Sequence, residues 1–122
     1  MSQSNSLSPR MQQQVARLQN TKQQLDFLSQ QRAALENSAR DMEGAIQELE
    51  AAEDDVVVYK SIGGILIKSE KAKLLGELKE QKENTDVRVA TLSKQEERVK
   101  KNFDEMYAKI QDELKGGSAP EN

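Results

Sequence analysis

Neither histidine nor cysteine occurs anywhere in the 122 residues. That removes the usual zinc ligands, cysteine–histidine pairs and serine–histidine–aspartate triads together, and no disulfide can staple the chain. The chain is read as not an enzyme, with no catalytic residue, no metal site and no cofactor. Tryptophan is missing too, and aromatic residues make up only 3%. Aromatics dominate the energetics of compact cores, so 35% hydrophobic and 32% charged residues favour a narrow helical seam over a globule. Proline stands only at Pro9 and Pro120, which leaves the chain between them free to form long helices. No apolar run is long enough to span a membrane, and the polar residues 1–6 lack the basic and apolar regions of a signal peptide. A cytoplasmic protein is expected. The net charge of −3 comes from mixed signs. Nucleic-acid binding would need a basic stripe, and Lys100-Lys101 sits among acidic neighbours.

What is present has a helical period. Ser8-Pro9 is a helix start, serine as N-cap and proline at the first helical position. From about residue 8 to 52 the residues Leu25, Leu28, Leu35, Ala39, Met42, Ile46 and Leu49 fall on the a and d positions of a heptad, broken only by Arg32. Extended toward the N-terminus the frame collects Met11 and Leu18 but also Gln14 and Thr21, so the seam is expected to weaken there. A second helix from about 70 to 115 carries Leu75, Leu78, Val89, Leu92, Val99, Phe103, Met106 and Ile110 in the same spacing, interrupted by Lys82, Thr85, Glu96 and Glu113. Gly116-Gly117 is expected to stop it, with short polar tails at both ends of the chain.

Between the helices the texture changes. Residues 56–62 are β-branched and aromatic, as strands prefer. Gly63-Gly64 reads as a two-residue turn, because primed turns need positive φ, and Ile65-Leu66-Ile67-Lys68 supplies the return strand. No GxGxxG or Walker pattern surrounds the glycines, so a phosphate loop is set aside. The run Glu53-Asp54-Asp55 lacks the EF-hand spacing and reads as a polar linker. The fold class is therefore mainly α, two long helices in an antiparallel coiled coil joined by one β-hairpin at about 56–68, forming a single domain over 1–122. The expected register sets Ile46 against Leu78, Leu35 against Val89, Leu25 against Val99 and Leu18 against Met106.

Two features point to function. A lone hairpin is marginal in water, and this one has two open edges and more apolar residues than it can hide, so hairpins from several chains are expected to assemble. At the far end of the pair, Leu7, Val15, Phe27, Tyr107 and Leu114 lie off the heptad frame. They are either a low-specificity binding surface or ordinary surface scatter.

From Ser8 to Lys115 the chain resembles the prefoldin family. The hairpin segment Val58-Tyr59-Lys60-Ser61-Ile62-Gly63-Gly64-Ile65-Leu66-Ile67-Lys68 and the helical run Lys94-Gln95-Glu96-Glu97-Arg98-Val99-Lys100-Lys101 carry the likeness. One hairpin fits the β-type subunits, and the compact length looks archaeal. The resemblance implies a six-chain assembly of two α-type and four β-type subunits, hairpins in a β-barrel platform, and coiled coils that hold non-native clients at their tips. Delivery to a group II chaperonin without ATP is implied as well. Carried onto this chain, the assembly surface is Val56, Val57, Val58, Tyr59, Ile62, Ile65, Leu66 and Ile67. The client contacts, placed by position, are Leu7, Met11, Val15, Leu18, Met106, Tyr107, Ile110 and Leu114. The competing reading is a structural or adaptor coiled coil that binds one folded partner; it leaves the apolar hairpin without a purpose.

Overall fold

The computed structural model describes residues 7–118, in the order helix, strand, strand, helix. Helix α1 runs Pro9–Ala51, strand β1 Val58–Ile62, strand β2 Ile65–Ser69 and helix α2 Lys71–Ser118. Ser8 caps α1 as its position predicts: its Oγ accepts the Met11 N–H at 3.0 Å and its carbonyl accepts the Gln12 N–H at 2.9 Å. The strands form one antiparallel pair with Ile62 opposite Ile65 and Val58 opposite Ser69. Gly63 and Gly64 take φ of 55° and 84°, the positive values a type I′ turn requires.

Three boundaries differ from expectation. The first strand begins at Val58 rather than Val56. Val56 N–H donates to the Glu53 carbonyl at 3.1 Å in a turn, and pairing ends at Ser69, next to the residue whose carbonyl opens α2: Glu70 O accepts the Leu74 N–H at 2.9 Å. The second strand runs one residue past Lys68. Gly116-Gly117 does not stop α2, which continues to Ser118. Both glycines are helical, and glycine inside a helix costs only about 1 kcal/mol.

The packing divides the chain into two compact units. One takes in the chain up to Gln30 and from Leu92 onward, the other Gln31 to Thr91. In the first, Met11, Leu28 and Ile110 are buried, with Leu18, Leu25, Val99, Phe103 and Met106 half-buried. In the second the most covered side chains are Ala39, Ile46 and Thr85. The polar positions of the heptad frame do not open the seam, because each is partly covered and several find partners. Thr21 Oγ1 donates to the Arg17 carbonyl at 2.9 Å. Arg10 forks onto both oxygens of Glu113, at 3.4 and 3.1 Å. Arg32 Nη1 donates to Glu36 at 3.0 Å along its own helix. Lys79 reaches Glu50 at 3.0 Å and Lys82 reaches Glu43 at 3.9 Å, flanking the position where Ile46 and Leu78 are expected to meet.

Candidate functional site

The strand period of two sorts the hairpin into two faces. Opposed residues share a face, so Val58, Lys60, Ile62, Ile65, Ile67 and Ser69 lie on one, and Tyr59, Ser61, Leu66 and Lys68 on the other. The base of the first face, at Val58, Lys60 and Ser69, turns toward α2, while Ile62, Ile65 and Ile67 farther out stay exposed. Lys60 Nζ donates to Glu77 Oε1 at 2.8 Å, and Val58, Lys60 and Ser69 are half-buried on that side. The hydrogen bond from Lys60 holds the Glu77 carboxyl below its ordinary pKa, against the opposing effect of burial and with help from the Lys60 and Lys73 charges.

Apolar side chains crowd the rest of the hairpin. Val57, Tyr59, Ile62, Ile65, Leu66 and Ile67 are 48–67% exposed. Monomeric proteins rarely expose so continuous an apolar patch without a partner, and the unpaired outer edges of β1 and β2 offer backbone groups for further strands. Of the eight residues assigned from sequence to assembly, Val56 and Val58 are the two that are half-buried.

Where α1 begins and α2 ends the picture is sparser. Leu7, Tyr107 and Leu114 are exposed and Val15 is half-buried. Met11 and Ile110, also among the expected client contacts, are 8% and 6% exposed and sit in the seam, with Leu18 and Met106 half-covered beside them. The expected weakening of this end is thus offset by the Ser8 cap and the Arg10–Glu113 fork. Tyr107 stacks on Phe103 with ring centroids 6.3 Å apart, which holds its ring in place on the outside. A cleft of about 110 Å³ lined by Gln14, Arg17, Met106, Lys109 and Ile110 is smaller than the clefts that enclose drug-sized ligands. Among the described residues no three metal-ligating side chains cluster, and no helix is long and apolar enough to cross a membrane.

Sequence reasoning missed the charged ties around the hairpin. Lys60, Glu77 and Lys71 carry no motif, and only the fold brings residues so spaced into contact. The apolar, turn-centred hairpin itself was plain in the β-branched, aromatic run and the glycine pair.

Comparison with known proteins gives a consistent likeness. A family model described as "Prefoldin subunit" matches residues 12–117. The chain is 40% identical over 111 residues to the prefoldin subunit beta of Methanothrix thermoacetophila, covering 91% of this chain and 92% of the relative. To that of Archaeoglobus fulgidus it is 42% identical over 108 residues, covering 88% and 93%. The crystal structure of the prefoldin beta subunit from Thermococcus strain KS-1 superposes with a TM-score of 0.81 at 33% identity, covering 89% of this chain and 96% of that one.

Proposed function

The chain belongs to the prefoldin family, and from that membership we propose that it is a β-type subunit of an ATP-independent holdase. In this reading it assembles with α-type subunits and further copies of itself, two α-type to four β-type, in the cytoplasm. The complex holds non-native proteins and passes them to a group II chaperonin, with no catalysis. The observation that carries the reading is the hairpin, whose large apolar side chains stand exposed beside two open strand edges. Covering them is the gain that drives assembly.

Client holding belongs to the segment where α1 starts and α2 ends. Leu7, Tyr107 and Leu114 offer isolated apolar contacts, each weak, and several subunits acting together multiply them by avidity. Val15 and the seam residues Met11, Leu18, Met106 and Ile110 join when the helix ends fray, an opening expected of terminal turns. Release then requires only competition from another binder.

Native mass spectrometry of the chain mixed with an α-type subunit, alongside aggregation of an unrelated unfolded protein, tests both halves. A six-chain complex that suppresses aggregation is the expected result. A chain that ignores α-type subunits, binds one folded partner and leaves aggregation untouched is instead an adaptor coiled coil.

A further inference from the structure

Lysine is an unexpected residue at the start of α2. A helix N-terminus carries partial positive charge and favours acids, yet the first turn of α2 contains no acidic residue and does contain Lys71 and Lys73. The end of α1 shows the complementary oddity, because its last turn has no basic residue to meet its exposed carbonyls. The two anomalies resolve each other across the hairpin. Lys71 Nζ donates to the Ala52 carbonyl at 2.7 Å, just past the last residue of α1, and to Asp54 Oδ1 at 3.3 Å. Its side chain is only 14% exposed, whereas that of Asp54 is fully open to solvent. The Ala52 carbonyl is therefore the partner that matters, and the ammonium serves as a C-cap supplied by another helix. Farther along, Lys60 on β1 makes the second tie, to Glu77 on α2. One lysine clasps the two ends of the segment that contains the hairpin, and the other pins its strand to the helix that follows.

We infer that Lys60 and Lys71 are positioning residues of the assembly surface, holding the hairpin against the helix bases so that Tyr59, Leu66 and the Ile62–Ile65 turn stand outward for neighbouring subunits. The inference rests on the assembly reading above and deepens it. A two-stranded hairpin left untied would sample many orientations, and each association would have to order it again. Tying it beforehand moves that ordering into the folding of the single chain. Both ties are polar; Lys60 lies on the hairpin face whose base turns toward α2 and Lys71 on α2 itself, so the outward apolar surface stays free of charge apart from Lys68.

Two measurements on the full-length chain test this, using K60M and K71M with K60R and K71R as charge-keeping controls. The first is amide hydrogen exchange of residues 58–69 in the chain alone. The second is the concentration at which native mass spectrometry shows half-assembly with an α-type subunit. K60M should speed hairpin exchange and weaken assembly about two- to fivefold, the range for a half-exposed ion pair. K71M should weaken it about tenfold, since a charge-assisted bond to a largely covered lysine is worth more. Helical circular dichroism should stay unchanged and both arginine variants should remain near wild type. Methionine variants with wild-type hairpin exchange, or with loosened hairpins that assemble as well as wild type, overturn the inference. A wild-type chain that never assembles sinks the assembly reading instead, and exchange in the isolated chain still decides whether the two lysines hold the hairpin.

Discussion

The hairpin and the paired helix termini both display apolar side chains, but they do so in opposite ways. In the hairpin the exposed residues are contiguous, rigidly spaced by strand geometry and tied down by Lys60 and Lys71. At the termini the seam closes over Met11 and Ile110, and what remains outside is a scatter of Leu7, Tyr107 and Leu114. A dense, ordered patch suits a fixed partner of complementary shape, because its ordering cost is already met. A sparse one, backed by residues that fraying can release, suits partners of no fixed shape. Under the proposed division of roles, density and rigidity, more than exposure alone, separate the assembly surface from the client surface.

Defects placed in one region at a time test the division of roles most severely. Ile65→Lys with Ile67→Lys should abolish the proposed six-chain complex while helical circular dichroism persists. Ile65 and Ile67 are 65% and 48% exposed in the single chain, so covering the pair is worth roughly 1.5–3 kcal/mol, at least about tenfold in assembly. Replacing Leu7, Tyr107 and Leu114 by serine should leave the complex intact by native mass spectrometry and reduce suppression of client aggregation. If the terminal variants fall apart, or the hairpin variants still assemble, the division between the two regions is wrong.

A smaller effect separates the two stretches of seam. Ile46→Ala and Ile110→Ala both remove a well-buried side chain, at a cost of about 2 kcal/mol or more where the packing cannot collapse. Ile46→Ala should lower the thermal midpoint. Ile110→Ala should do the same and also speed amide exchange of the neighbouring helix ends, sharpening the claim that seam residues there become available by fraying. Equal exchange at the termini of wild type and Ile110→Ala would count against that route.

The smallest expected effect is a pH dependence confined to the hairpin. Glu77 has a folded-state pKa lowered from its ordinary 4.5, first by the Lys60 hydrogen bond and then by the Lys60 and Lys73 charges. A lowered carboxylate pKa contributes stability that is fully present above 4.5 and is lost as pH falls through the lowered value. Hairpin exchange, corrected for its intrinsic pH dependence, should therefore be level between neutrality and about pH 5 and rise only under more acidic conditions. Glu77→Gln should abolish that acid-specific rise; a variant that keeps it would place the titrating group elsewhere.

Much of the fold was legible because it rests on short-range chemistry. The heptad of Leu25, Leu28, Leu35, Ala39, Met42, Ile46 and Leu49 and the Ser8 cap act within a few residues. So does the Gly63-Gly64 turn, where positive φ is needed and glycine adopts it freely. Less legible were the limits of those elements. The break between Val56 and Val58 depends on which residues β2 has left to pair with, and α2 runs through Gly116-Gly117 because helix continuity tolerates a small local penalty. The polar frame positions Gln14, Thr21 and Glu113 read as gaps. They became part of the seam once Arg10 and the Arg17 carbonyl were near enough to satisfy two of them.

By itself, then, the order of residues determined two helices, a hairpin between them and a surplus of apolar surface on that hairpin, because period, turn chemistry and composition are local properties. Tertiary structure alone decided which hairpin face turns inward, which apolar side chains at the helix ends are covered, and that Lys71 caps a helix other than its own. Those outcomes depend on groups far apart in the chain, and charge and burial act on distance in space, with no trace of it in sequence separation.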